Sequence, residues 1–190
     1  MKMVNTVFFV FVFIVATWCN VSAEESKNSE DFTALFPSPL KGWEASEVTV
    51  EKQEALISFN ELNLLFGDKV PERLILTRTY YSQRDGGKVT IQLDTENVEK
   101  STYIESVQSL SPEEAKSLEK DGFIKFNYQS YHGIKALDNE KHTVMIILEI
   151  QPSRIFEIDV DTFGKNKGIV MEFLKKADIQ KISAFMEEWY

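Results

Sequence analysis

The stretch His142–Thr162, HTVMIILEIQPSRIFEIDVDT, decides how this chain folds. Beyond Gln151-Pro152-Ser153, Phe156, Ile158 and Val160 alternate with Glu157, Asp159 and Asp161. That period of two marks a strand with one buried and one polar face. The near side, His142 to Ile150, is the most apolar strand of the chain, with Val144, Ile146, Leu148 and Ile150 as its inward set. Turning both inward sets to one side predicts an antiparallel hairpin. Ile150 then lies opposite Phe156 and Glu149 opposite Glu157, with Pro152–Arg154 as the loop.

Outward from this hairpin the chain keeps reading as short strands. One lies around Ile134–Leu137 and ends at Asp138-Asn139-Glu140; before it, Ile124, Phe126 and Tyr128 share one side of another. Leu74–Tyr81 and Val89–Asp94 flank Asp85-Gly86-Gly87-Lys88, where two glycines suit a type I′ turn. That turn predicts Leu93 opposite Tyr80, with Val89, Ile91 and Leu93 on the face of Leu74, Leu76 and Tyr80. Further upstream, Phe36-Pro37-Ser38-Pro39-Leu40 and Gly42-Trp43 lead into a strand in which Val48 and Val50 alternate with Glu47, Thr49 and Glu51. Residues 55–66 fit neither period cleanly and read as a short helix or an irregular apolar flap.

Ser111-Pro112-Glu113-Glu114 is a helix start, with a hydroxyl N-cap, proline at N1 and a carboxylate at N3, and the helix should stop before Gly122. Near the C-terminus Ile169, Val170, Phe173, Leu174 and Ala177 form one apolar stripe. It restarts out of phase as Ile182, Phe185, Met186 and Trp189, which predicts a break near Asp178. The sum is an α+β domain: a twisted, mainly antiparallel sheet of about six or seven strands. The C-terminal helices should cover one face and the 112–120 helix part of the other.

Leu40-Lys41-Gly42-Trp43, the tyrosine-ended strand before a glycine-rich hairpin, Gly133-Ile134-Lys135-Ala136, the apolar hairpin and the C-terminal helix form an ordered set. Over about residues 36–187 this resembles small secreted bacterial proteins of uncharacterised function with a PsbP-like α/β/α sandwich. The resemblance implies that fold and an accessory or binding role; plant members of the family assist a membrane-bound photosynthetic complex. It supplies no catalytic residue.

Compartment is read from the N-terminus. Lys2, the ten-residue apolar run Val7–Ala16 and Asn20-Val21-Ser22-Ala23 make a signal peptide over residues 1–23, cut after Ala23. The run is about half of the ~20 residues that a bilayer-spanning helix needs, so no stable membrane span is expected after cleavage. Bulky Trp18 argues against lipidation of Cys19. Residues 24–35 form a flexible leader and 36–190 a single domain. The exported chain, periplasmic or extracellular, is then free of cysteine and disulfides. The 190 residues carry 30 acidic against 21 basic side chains, a net charge of −9, and loss of Lys2 makes it −10. So acidic a chain is not a nucleic-acid-binding domain.

Four carboxylates, Glu149, Glu157, Asp159 and Asp161, should gather on the outward face of the apolar hairpin near Met145 and Ile147. Like charges directly opposite destabilise a sheet unless water, a cation or a basic partner screens them. The sharper reading is a weak Ca²⁺ site or a docking surface for a basic partner. The plainer and preferred one is a solvated face, or one neutralised by Lys175, Lys176 and Lys181 of a covering helix. A second candidate is the apolar flap, whose Leu56, Phe59, Leu62, Leu65 and Phe66 would form a partner or lipid site if left uncovered.

No cofactor is expected. His132 and His142 fit no zinc spacing, there is no G-x-S-x-G, and Gly164-Lys165-Asn166-Lys167-Gly168 lacks the phosphate-loop pattern and reads as a turn with Asn166 as N-cap. The expected function is that of a non-enzymatic accessory or binding protein of the cell envelope, with an envelope protein or small ligand as partner. The alternative is a hydrolase drawing its acid/base pair from the four carboxylates, with or without a metal.

Overall fold

Alternating burial builds a single sheet across the residues that the computed structural model describes, 32–54, 72–161 and 168–189. In chain order the elements are β1 (Trp43–Ala45), β2 (Thr49–Glu54), β3 (Glu72–Ser82), β4 (Lys88–Asp94), α1 (Val98–Ser109), α2 (Pro112–Lys120), β5 (Phe123–Tyr128), β6 (Tyr131–Asp138), β7 (Thr143–Gln151), β8 (Arg154–Val160), α3 (Ile169–Lys176) and α4 (Ile179–Glu188). The eight strands lie in the order β1-β3-β4-β8-β7-β6-β5, with β2 also on β3, and every pairing is antiparallel.

Helices lie on both faces. Leu74, Leu76, Ile91, Leu93, Ile146, Leu148, Phe156 and Ile158 form the larger core with Val170, Phe173, Leu174, Ile182 and Met186 of α3 and α4. Each such side chain contributes roughly 1.5–3 kcal/mol by leaving water. Tyr80 is buried there too; its hydroxyl donates to the Pro37 carbonyl (2.8 Å), tying the proline-rich lead-in to the sheet, and burial pushes its pKa up to about 12. On the other face Ile104 and Val107 of α1 pack on Ile134, Ile147 and Ile155.

Cap chemistry places the helices where the sequence predicts. Ser111 and Glu114 close a capping box at α2, and Gly122 takes the left-handed conformation (φ 86°) just past its end. The C-terminal helices break at Ala177-Asp178, where the Asp178 carboxylate accepts from Lys181 N (3.1 Å). The N-cap of α3 is Gly168; Asn166 lies outside the described residues.

Both hairpin registers differ from the prediction by an even number of residues. Leu93 pairs with Leu76, not Tyr80, because the β3–β4 loop is longer than a two-residue turn. Gly86 has positive φ (70°) but Gly87 does not; instead the Asp85 carboxylate accepts from Gly87 N (3.2 Å). Phe156 pairs with Leu148, not Ile150, and Glu149 lies opposite Ile155, not Glu157. A bulge between Glu149 and Gln151 and a tight turn at Pro152-Ser153, with Ser153 at φ 62°, absorb the difference. Even slips leave every side chain on its predicted face.

Two elements go beyond the prediction. The N-terminal strand is two strands, β1 and β2, both on β3, which raises the count to eight. They part at Ser46, whose N–H donates to Thr79 O (2.8 Å) and whose hydroxyl accepts from Thr79 N (3.1 Å). The other addition is α1, which has only Ile104 and Val107 as a buried apolar stripe, beside Ser101.

Helix α1 is launched by Asp94, a buried carboxylate at the end of β4. Arg73 grips it through Nε (2.8 Å) and Nη2 (2.5 Å), and Asn97 Nδ2 (2.9 Å) and Glu96 N (3.2 Å) donate to it as well. Asn97 in turn caps α1 by accepting from Lys100 N (3.0 Å). Asp94→Ala would take the carboxylate from Arg73, leaving its Nη1 on Gln53 Oε1 (3.2 Å), and should lower the unfolding free energy by about 1.5–3 kcal/mol in urea denaturation. Replacing both partners, Arg73→Met with Asp94→Leu, should cost less than the single change.

Candidate functional site

The period-two pattern of β8 does put Glu157, Asp159 and Asp161 on one face, and Glu149 of β7 lies on that same face. It is the face that α1 and α2 cover. Helices α3 and α4, with Lys175, Lys176 and Lys181, pack on the opposite face, so the screening cations come from elsewhere. Glu157 is ion-paired and hydrogen-bonded to Lys100 of α1. Glu149 accepts from the Ser101 hydroxyl and from Ser153 N (3.2 Å). Asp161 pairs with Lys88 Nζ of β4 (2.6 Å). Two consecutive residues of α1 thus fasten its first turn to the sheet through carboxylates.

Asp159 is different. It is half-buried, opposite Met145 on β7 and Thr90 on β4, and it reaches a cleft of about 660 Å³. The floor of the cleft includes Phe123, Ala136, Thr143 and Met145; its rim is the end of α2 and the β6–β7 turn, with Glu119, Asp121, Asp138 and Glu140 against Lys120. Burial raises the Asp159 carboxyl above its ordinary pKa, and the neighbouring Asp161 and Glu157 charges push the same way, against a smaller opposing pull from Lys88. Sequence reasoning does not reach the rim carboxylates, because α2 and the β6–β7 turn meet only in three dimensions. It misses Lys100 and Ser101 together with α1; the available signal is Asn97 as a cap, with Ser101, Ile104 and Val107 at helical spacing.

The other candidates separate. His132 is exposed at the start of β6, with Nδ1 3.0 Å from Asn127 Oδ1, and His142 sits in the turn beyond the far end of that strand (φ 56°). Among the described residues no three His, Cys, Asp or Glu side chains come together so as to hold a metal ion. Leu56, Phe59, Leu62, Leu65 and Phe66 lie outside the described residues. A smaller cavity of about 420 Å³ opens beside Trp43, with Lys41, Arg84, Asp85 and Glu172 at its mouth. No helix among the described residues is long and apolar enough to cross a membrane.

Asp159 sets a pH dependence of defined sign. Its folded pKa is raised above the ordinary 3.8, so the folded chain holds this proton more tightly than the unfolded chain does. That contribution to stability is full below the ordinary value and is lost as pH rises through the raised one. Asp159→Asn should therefore melt higher than the parent at neutral pH, with the gap closing in acid. A lower melting temperature at neutral pH would show that the ionised carboxylate is held favourably instead. Compared with known proteins, the chain matches no family model, no curated protein and no solved structure.

Proposed function

We propose that this is a non-enzymatic binding domain exported to the cell envelope, and that the cleft floored by Asp159 receives a basic segment of an envelope protein. The observation that carries this reading is the charge of the cleft: Glu119, Asp121, Glu140 and Asp159, with Asp138 paired to Lys141 (3.6 Å), against Lys120. A concave site of one sign favours and steers ligands of the other. Helices on both faces of an antiparallel sheet also support the PsbP-like α/β/α sandwich, a family whose plant members assist a membrane-bound complex. A hydrolase would want a second uncommitted carboxylate beside Asp159. On the sheet face itself Glu149, Glu157 and Asp161 are held by Ser101, Lys100 and Lys88 respectively, so none of these three is free to work with Asp159 as an acid/base pair.

A lysine-rich peptide should bind saturably in a calorimetric titration, and more weakly as salt is added. Asp159→Asn should weaken it by about 3–5-fold, since one accessible charge contact is worth up to about 1 kcal/mol. In whole envelopes the same peptide should compete with cross-linking to the partner. Equal affinity of parent and variant, or no saturable binding, would sink this reading.

A further inference from the structure

We propose that β5 pairs edge to edge with β5 of a second copy of this chain, in antiparallel register, joining the two sheets into one. The two edges of the sheet are not alike. At one edge β2 shows exposed Glu51 and Lys52, charges of the kind that keep a strand edge from pairing. At the other edge β5 reads Phe-Ile-Lys-Phe-Asn-Tyr from Phe123, with no proline. Its register with β6 runs without a bulge from Phe123↔Ala136 to Tyr128↔Tyr131. Its one charge, Lys125, is drawn back under α1, where Nζ donates to Gln108 O (2.9 Å) and Leu110 O (2.7 Å). Apart from that inward-turned lysine, the strand carries no proline, no bulge and no second charge to guard its edge.

The phase of the ladder shows which groups face out. Leu137 N donates to Gly122 O (2.9 Å), so Ile124, Phe126 and Tyr128, at even steps from Gly122, exchange their backbone bonds with β6. Phe123, Lys125 and Asn127 turn their backbone groups outward. Among the described residues no hydrogen bond reaches the N–H of Lys125 or Asn127.

A second copy fits this edge in one register that suits both the bonds and the side chains. With Phe126 on the two-fold axis, Lys125 and Asn127 face each other's counterparts and exchange both backbone bonds. The two Phe126 rings meet across the axis, and Ile124 lies opposite the second copy's Tyr128. These are non-hydrogen-bonded pairs, in which side chains approach most closely, and aromatic pairs there stabilise a sheet. The register keeps the two Lys125 charges from lying opposite one another. It also shields Ile124, a large apolar side chain that the fold leaves exposed. Such an interface is isologous and closes at two copies.

Sedimentation velocity from micromolar to millimolar loading should show the sedimentation coefficient of the full chain rising towards that of a dimer. All chains carry Cys19→Ser, so that no other thiol is present. Asn127→Pro removes an outward N–H without touching the β6 ladder, and should abolish the rise while keeping the circular dichroism of the parent. Phe126→Cys should give a disulfide-linked dimer on mild oxidation, since the two Cβ atoms meet at the axis. A monomer at every concentration would overturn the proposal and leave the edge to an extended segment of some other polypeptide. A dimer that survives Asn127→Pro would overturn it as well. Should Asn127→Pro fail to fold, oxidation of the Phe126→Cys chain decides: a linked dimer supports β5 pairing and a lasting monomer overturns it.

Discussion

The buried Asp94 carboxylate is the constraint on which the arrangement of the second face depends. A buried charge is tolerated only where donors surround it, and Arg73, Asn97 and Glu96 N supply them. Those donors come from β3 and from the residues that leave β4, so satisfying the charge ends the strand and turns the chain into α1. Asn97 also reaches across to the β7–β8 turn, its N–H donating to Ser153 O (2.5 Å). The helix therefore starts at a fixed point above that turn. From there Lys100 and Ser101 meet Glu157 and Glu149, and Ile104 and Val107 meet Ile134, Ile147 and Ile155. Asp159 is left facing the cleft, with Glu157 engaged by Lys100 of α1 and Asp161 by Lys88 of β4.

Faces were legible in the sequence; partners were not. An odd slip would turn Ile158 and Val160 to the polar side, so alternation specifies the face strongly. It is blind to even slips, and both hairpins show one. The residues that set the true registers are local: the Asp85 carboxylate on Gly87 N, and the bulge before Pro152. Helix ends with side-chain caps, Ser111 and Asp178, are readable because the signal is contained within a few residues. α1 escapes because a helix that buries only Ile104, Val107 and Ser101 has too thin a stripe to stand out.

The same division runs through the candidate site. That Glu157, Asp159 and Asp161 share a face follows from strand geometry alone. Which of them is left for a ligand depends on Lys100, 57 residues from Glu157, on Lys88, 73 residues from Asp161, and on Ser101, 48 residues from Glu149. Spacing along the chain carries no record of such meetings. Glu157 and Asp161 are paired with lysines, but with Lys100 of α1 and Lys88 of β4 and not with Lys175, Lys176 or Lys181 of the C-terminal helices. Asp159 alone keeps the sharper reading open, and it does so by virtue of a cleft whose rim belongs to other elements.

The order of the strands bears on when the molecule can fold. β1 to β4 form one set of neighbours and β5 to β7 another, and β8 lies between them, bonded to β4 on one side and β7 on the other. The strand that unites the sheet is thus the last of the eight to be synthesised. Until residues 154–160 emerge, the chain holds two half-sheets with facing edges open and most of the larger core unassembled. Pairing of β4 with β8 also closes a long loop, which slows folding. A chain built this way completes its larger core only once β8 has joined β4 to β7.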